Sequence, residues 1–175
     1  MLHTKIAGAL AALLLAAGTA AAQGAAAPTD PQIAHIAYAA DAIDIKAAQL
    51  ALKKSKNKDV RAFAHDMVRD HTAVNKKALA LVKKLKVTPE DNDTSKALTK
   101  QADDERRTLA KLSGPAFDKA YAENEVAYHK MVNGALENTL IPSASNPELK
   151  ALLETGLKIF QGHQQHAEQL AASLQ

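Results

Sequence analysis

The chain has 175 residues, a formal net charge of +3 and no cysteine. Its length fits one domain, and the lack of cysteine excludes disulfide bonds and thiolate metal sites. The nearly balanced charge argues against a nucleic-acid-binding protein, because such proteins carry a marked basic excess.

The first residues have the layout of a secretory signal peptide. Lys5 supplies a positive charge, residues 6–17 form an apolar run, and small residues precede an expected cleavage after Ala22. The run is shorter than the about 20 apolar residues that a membrane-spanning helix needs. We therefore predict a signal peptide over residues 1–22 and a periplasmic or secreted protein with no integral membrane segment after cleavage. An uncleaved N-terminal anchor is the alternative interpretation.

A single helical domain is expected over residues 30–173, after a disordered linker of small residues at 23–29. Asp30 and Pro31 are the residue types preferred at an N-cap and at a first helical position, so they predict the start of the first helix. Apolar residues recur along one face of this helix. Asp44 interrupts that face at its centre.

A second long helix is predicted to follow a short polar connection and to end at about Lys86. Its apolar residues recur at helical spacing, and His71 lies almost in the middle of the stripe that they form. Asp70 lies at the edge of the stripe. The apolar members are Val60, Phe63, Ala64, Met67, Val74, Ala78, Leu81, Val82 and Leu85.

Three further helices are predicted, a short one and then two long ones. At ~1.5 Å per residue, the short helix carries the chain about 27 Å back along the bundle, which suits a crossover connection. A loop over residues 140–145 is expected between the last two. The predicted N-caps are Thr94 or Ser95 for the short helix, Ser113 for the next and Asn146 for the last.

No segment alternates with period two, so no sheet is expected. The predicted fold is all-α, a ferritin-like four-helix bundle with a shorter crossover helix between the second and third long helices.

Each long helix brings a possible metal ligand to its apolar face or near it. These residues are Asp44, His71, Glu125, His129 and His163. Burying such groups separately costs several kcal/mol each, so a shared site is the economical arrangement. Carboxylates and imidazoles together suit Zn, Fe, Mn, Ni or Cu(II), and do not suit soft Cu(I). His129 lies further from the apolar face than Glu125, and both stay open as members of the site.

A metal-free network is the alternative for the same residues. Asp44 would then accept hydrogen bonds from His71, Tyr121 or Tyr128 in a dry core. The sequence has no Gly-x-Ser-x-Gly, phosphate-binding loop or His-Glu-x-x-His, and so no established catalytic motif. A metalloenzyme would require an open coordination position on the metal.

Several of these residues belong to short sequence motifs. They are Asp44 followed by small residues, Phe63-Ala64-x-x-Met67-x-x-Asp70-His71-x-x-x-Asn75, Leu112-Ser113-Gly114-x-x-Phe117-Asp118-x-x-Tyr121, His129, His163 and Ala167. With them the chain resembles exported bacterial proteins of a "domain of unknown function" family that are predicted to form a ferritin-like bundle. The resemblance implies architecture and location, because the family has no established activity. The chain departs from it at Asp44, where the family usually has glutamate.

The sequence therefore predicts an exported bundle that binds a transition metal, for metal handling or envelope stress. A metal-free structural or interaction bundle of the cell envelope is the alternative. The chain contains no Glu-x-x-His, the pair that di-iron ferritin-like enzymes use, so analogy with them gives little support to a ferroxidase or oxygenase. A redox or hydrolytic metalloenzyme is the third interpretation. Asp70 and Asn75 are expected to support the ligands through hydrogen bonds.

Overall fold

A computed structural model describes residues 27–175 of the chain. The signal peptide predicted over residues 1–22 lies outside the described residues, as do positions 23–26 of the predicted linker. The described part contains no β-strand, which confirms the all-α prediction. No helix within it is both long and apolar enough to cross a bilayer.

Within residues 27–175 the fold has five helices of several turns, with two short helical pieces between the last two. The elements are α1 (Asp30–Lys54), α2 (Lys58–Leu85), α3 (Asp93–Ala110), α4 (Gly114–Ala135), a π-helical turn (Leu136–Leu140), the single turn α5 (Ile141–Ser143) and α6 (Pro147–Ser173).

The helices pack as two pairs joined by one long connection. α1 packs mainly on α2, and α4 packs mainly on α6, with a further contact between α2 and α6. α3 lies in the connection between the pairs and packs against α1 and α4. One long crossover distinguishes ferritin-like bundles from simple up-and-down ones, so the helix order and pairing agree with the predicted connectivity.

The start of α1 differs from the prediction, since Thr29 and not Asp30 is its N-cap. The Thr29 backbone N–H donates to Gln32 Oε1 at 3.1 Å, which closes the first turn. The Asp30 carboxylate instead accepts the backbone N–H groups of Ser145 and Asn146, at 2.8 and 2.9 Å. A carboxylate in a first turn can reach a neighbouring chain segment, and here it ties the start of α1 to the start of α6.

The ends of α3 and α4 also differ from the prediction. Asn92 and not Thr94 or Ser95 caps α3, and its side chain accepts the backbone N–H of Ser95 at 3.0 Å. The loop expected over residues 140–145 is largely helical, with a π-helical turn leading into α5. Pro142 lies in α5, directly after the π-helical turn, at a position where the chain is already helical.

Two apolar clusters fill the bundle, one towards each end. The first contains the early part of α2 and α4, including Phe63 and Phe117, and the second contains the early part of α1 and α6, including Ile33 and Leu149. On each of α1, α2, α4 and α6, polar buried residues lie in the sequence between these regions. The polar residues therefore form a layer that separates the two clusters.

The second half of the α2 stripe is less buried than the sequence predicts. The five apolar residues that follow His71 on this face are only half-buried, whereas the four before it are fully buried. A cavity of about 890 Å³, lined by Val74, Ala78, Leu153 and Phe160 among others, occupies this end of the bundle. Helical periodicity identifies the face of a helix but does not show how closely neighbouring helices approach it.

Replacing Asp30 should weaken the contact between the two helix pairs. We expect Asp30→Ala to lower the free energy of unfolding by about 1–2 kcal/mol, because two backbone N–H groups lose a charged acceptor. Asp59→Ala is the matched control, since Asp59 is an exposed acid in the first turn of α2. Urea unfolding measures both, and equal losses in the two variants would contradict the assigned role of Asp30.

Candidate metal centre

All five residues predicted as ligands lie in the polar layer between the apolar clusters. They are Asp44 on α1, His71 on α2, Glu125 and His129 on α4, and His163 on α6. None exposes more than 7% of its surface. His129, which the helical pattern places further out, is as deeply buried as Asp44 and Glu125. The structure thus buries all five residues in one layer, where they form two groups of possible ligands that share His129.

Three imidazoles surround a common point. The ring centroid of His71 lies 5.8 Å from that of His129 and 5.2 Å from that of His163, and the last two are 5.5 Å apart. One nitrogen from each ring lies within 4.8 Å of one nitrogen of each other ring. Metal–nitrogen bonds of ~2.0–2.1 Å at tetrahedral angles place imidazole centroids about 5 Å apart. The spacing of the rings is therefore close to that of a three-histidine site.

Asp44 joins the imidazoles to a second group of possible ligands. Its Oδ2 atom lies 3.2 Å from His71 Nε2 and 3.4 Å from His129 Nε2. Asp44, Glu125 and His129 also offer ligand atoms that lie within 4.8 Å of one another. The carboxylates consequently extend the group of imidazoles on the side of α1 and α4.

Asp41 holds the His71 ring in place. The Nδ1–H group donates to Asp41 Oδ1 at 2.6 Å, and Phe160 stacks on the ring at 4.6 Å between centroids. His71 Nε2 therefore faces the centre of the layer, where Asp44 is close but not aligned for a hydrogen bond. A carboxylate on the far nitrogen is the usual support of a metal-bound histidine.

The other two imidazoles are held in the same manner. His129 Nδ1–H donates to the backbone carbonyl of Glu125 one turn earlier, at 2.9 Å. His163 Nε2 lies 3.1 Å from Asp70 Oδ2, and the Asp70 carboxylate also accepts two hydrogen bonds from Arg69, at 2.7 and 3.0 Å. Each ring thus has one nitrogen in a hydrogen bond with an oxygen of a neighbouring residue, and the second nitrogen takes no part in that bond.

The remaining nitrogens have no hydrogen-bond partner among the described residues. They are His71 Nε2, His129 Nε2 and His163 Nδ1, and the buried oxygens Asp44 Oδ1, Asp44 Oδ2 and Glu125 Oε2 are unpartnered as well. Leaving a buried polar group unsatisfied costs about 1–3 kcal/mol. A metal ion at this point would engage several of these atoms together, so the donor set fits a metal.

Burial and charge set different protonation states for the histidines. Burial alone would lower the pKa of His71, but the carboxylates of Asp44 and Asp41 outweigh it and raise the pKa to about 10. Burial lowers the pKa of His163 to about 4, although Asp70 acts in the opposite direction, and burial also lowers the pKa of His129. Without a metal at neutral pH, His71 is therefore an imidazolium and the other two rings are neutral.

Burial acts on the carboxyls too. It raises the pKa of Glu125 well above the usual range, and the charge of Asp44 adds to this effect. Burial would also raise the pKa of Asp44, but the positive charge on His71 outweighs it and lowers the value. The metal-free layer therefore places one carboxylate on each side of His71, and burial disfavours the charged form of Glu125.

The supporting residues were only partly predicted from the sequence. Asp70 contacts a candidate ligand as expected, but Asn75 does not, because its side chain donates to the Tyr38 carbonyl at a long 3.5 Å. Asp41 was missed. It lies three residues before Asp44, and this spacing places both carboxylates on one face of α1, which was the available signal.

Comparison with known proteins gives a family for the chain. The model of the family described as "Domain of unknown function (DUF4142)" matches residues 15–170. The chain belongs to this family. The matched region of the DUF4142 chain contains every residue of the candidate metal centre and both supporting carboxylates. Comparisons with curated proteins and with solved structures found no match.

The protonation states predict how stability depends on pH after metal has been removed with a chelator. Because the folded pKa of His71 is raised from 6.5 to about 10, its stabilising effect is complete below 6.5 and is lost as the pH rises towards 10. Because the folded pKa of His163 is lowered from 6.5 to about 4, stability falls as the pH drops through that interval. We expect the melting temperature to fall on both sides of about pH 6.5.

Variants separate this effect from other titrations. His71→Gln should lose most of the decrease between pH 6.5 and 10, whereas His65→Gln, at an exposed position of the same helix, should keep it. Calorimetric melting at a series of pH values makes the comparison. An unchanged alkaline decrease in His71→Gln would show that other groups cause it.

Proposed function

We propose that the protein binds one transition-metal ion in the polar layer of the bundle. The ligands in this proposal are His71, His129, His163 and Asp44, with Glu125 as a fifth. The observation that carries it is that each of the three imidazoles has one nitrogen engaged and the other buried without a hydrogen-bond partner, although His71 Nε2 lies 3.2 Å from Asp44 Oδ2. Because the same arrangement occurs on three separate helices, a shared ion explains it better than three independent buried histidines do.

A single ion is favoured over a pair. The two groups of possible ligands share His129, and its Nδ1 is already engaged by the Glu125 carbonyl. Only His129 Nε2 is free, and a nitrogen with one lone pair binds one metal ion. Because they share this nitrogen, the two groups favour a single ion that draws its ligands from both.

The donor set limits the metal. Imidazole nitrogens with carboxylate oxygens suit Zn, Fe, Mn, Ni or Cu(II). Soft Cu(I) prefers thioether or thiolate sulfur, the chain has no cysteine, and Met67 of α2 belongs to an apolar cluster. Export of the chain, which the signal-peptide pattern predicts, would place this site in the periplasm or outside the cell. We propose metal handling or envelope stress as its role there.

A metal-free structural bundle is the second candidate, and one observation favours it. A protonated His71 between Asp41 and Asp44 forms an ion pair that needs no metal. The tyrosines expected to complete such a network do not do so. Tyr128 donates to the Ala40 carbonyl at 2.8 Å, and the Tyr121 hydroxyl has no partner among the described residues. This network leaves two imidazole nitrogens unpaired, and a metal would engage them.

Elemental analysis tests the proposal. Protein without a His-tag is stripped with a chelator, and separate samples are reloaded with Zn, Fe(II), Mn, Ni or Cu(II). We expect about one equivalent of at least one metal in the wild type, and less than about a tenth of an equivalent in His71→Ala and His163→Ala, which lack a ligand. His65→Ala is the matched control, because His65 is exposed on α2.

Thermal stability provides the second measurement. A bound metal stabilises the folded state, so loading should raise the melting temperature of the wild type and of His65→Ala. The structural candidate predicts no rise, and a loss of stability in His71→Ala with or without metal. Less than about a tenth of an equivalent of every metal in the reloaded wild type would reject the metal proposal.

Asp41 should affect metal affinity without contacting the ion. We expect Asp41→Ala to weaken binding by about 10- to 100-fold, because His71 loses the carboxylate that orients its ring and increases its basicity. Asp41→Asn keeps an oxygen that can accept the Nδ1–H, so its loss should be smaller. Competition with a chelating dye measures both affinities, and equal losses in the two variants would contradict an orienting role.

A further inference from the structure

The large cavity at the end of the bundle is separate from the candidate metal centre. Its volume is about 890 Å³, and the five candidate ligands are not among its lining residues. Protein interiors pack closely and contain few voids larger than a water molecule. Ligand pockets have volumes of about 300–1,000 Å³. This cavity therefore has the size of a ligand site and is too large for a packing defect.

Small side chains on three helices contribute to this space. Ala37 and Ala40 of α1, Ala78 of α2 and Ala135 of α4 all line the cavity. An alanine fills little of the volume between neighbouring helices, and the surrounding structure closes such a space only in part. The cavity is consequently a product of the sequence at this end of the bundle.

The deep part of the cavity offers very few hydrogen bonds. Its buried lining includes Ile36, Leu153 and Phe160, and Asp41 is the only buried residue with a polar side chain among the described lining residues. One carboxylate oxygen of Asp41 already accepts the Nδ1–H of His71. A sugar, nucleotide or peptide would lose hydrogen bonds in such surroundings without replacing them. The deep part therefore suits a hydrocarbon.

The lining becomes polar where the cavity reaches the surface. Thr94 of α3, Lys130 of α4 and Asn138 of the π-helical turn line it and are exposed. The Lys130 ammonium already pairs with Glu168 at 3.0 Å, so the mouth mainly offers hydroxyl and amide groups. Ligand sites commonly combine an apolar pocket with a few polar groups that fix orientation. The polar mouth and apolar interior together match an amphiphile.

We propose that the cavity binds the aliphatic chain of a single-chain amphiphile, a fatty acid or a monoacylglycerol, with its polar head at the mouth. If each non-hydrogen atom takes the volume of one water molecule, the cavity holds at most ~30 such atoms. One long chain with a small head fits this limit, whereas the two chains and head group of a phospholipid exceed it. The lining continues along α6 from Leu149 to Phe160, which spans about 16 Å and suits an extended chain.

Calorimetric titration with laurate and with monolaurin, each below its aggregation concentration, tests the inference. The protein is first delipidated and stripped of metal with a chelator, so the result does not depend on the proposed function. We expect about one equivalent to bind with a negative heat-capacity change, because apolar surface leaves water. Binding of either compound supports the inference, and the tighter one identifies the head group. No saturable binding of either would overturn it.

A pair of variants on α2 tests the location. Ala78→Phe places a ring in the cavity, so it should bind the amphiphile at least ~10-fold more weakly than the wild type. Ala80→Phe is the matched control, since Ala80 is exposed on the same helix and does not line the cavity. Equal affinities in Ala78→Phe and the wild type would place binding elsewhere and overturn the inference.

A second measurement needs only the wild type. A fatty acid that carries a nitroxide near its methyl end broadens the amide NMR signals of residues close to it. We expect the strongest broadening at Leu153 and Gly156, which line the deep part, and little at Leu109 and Phe117 in the other apolar cluster. Broadening that is confined to exposed residues, or is equal in the two clusters, would overturn the inference.

Discussion

The bundle depends on burying a layer of ionisable side chains between two apolar clusters. Hydrogen bonds on the outer side of each imidazole fix its orientation, through Asp41 for His71, a backbone carbonyl for His129 and Asp70 for His163. This arrangement satisfies one nitrogen of each ring and leaves the other facing a dry interior. The apolar clusters have to stabilise the fold enough to offset that cost, and a bound ion would reduce it directly.

A proton and a metal ion compete for the same part of this layer. In the metal-free protein the charge of His71 is balanced by Asp41 and Asp44, and the pKa of His71 is raised to about 10. Burial keeps His129 and His163 neutral at physiological pH, so their free nitrogens are already in the form that binds metal. Binding therefore requires the loss of one imidazole proton, and the rings need little rearrangement because their partners already hold them.

The sequence predicted the helices and the inward positions of His71 and Asp44 because both depend on periodicity within one helix. His71 in an apolar stripe and Asp44 at the centre of another are local signals, and the helices bring them within 3.2 Å. The burial of His129 depends on how α4 is rotated against its neighbours, which a single helix does not encode. The large cavity beside the second half of α2 likewise depends on the distances between helices. The role of Asp41 became evident only from its contact with His71.

The crossover helix illustrates the difference between connectivity and packing. Its length suggested only that it carries the chain from one helix pair to the other. In the structure α1 packs less closely on α4 than on α2, and α3 lies over the space that this leaves. Asp44 and Glu125 border that space from the two separated helices. The same crossover that joins the helix pairs therefore also covers the side of the polar layer on which these two carboxyl residues lie.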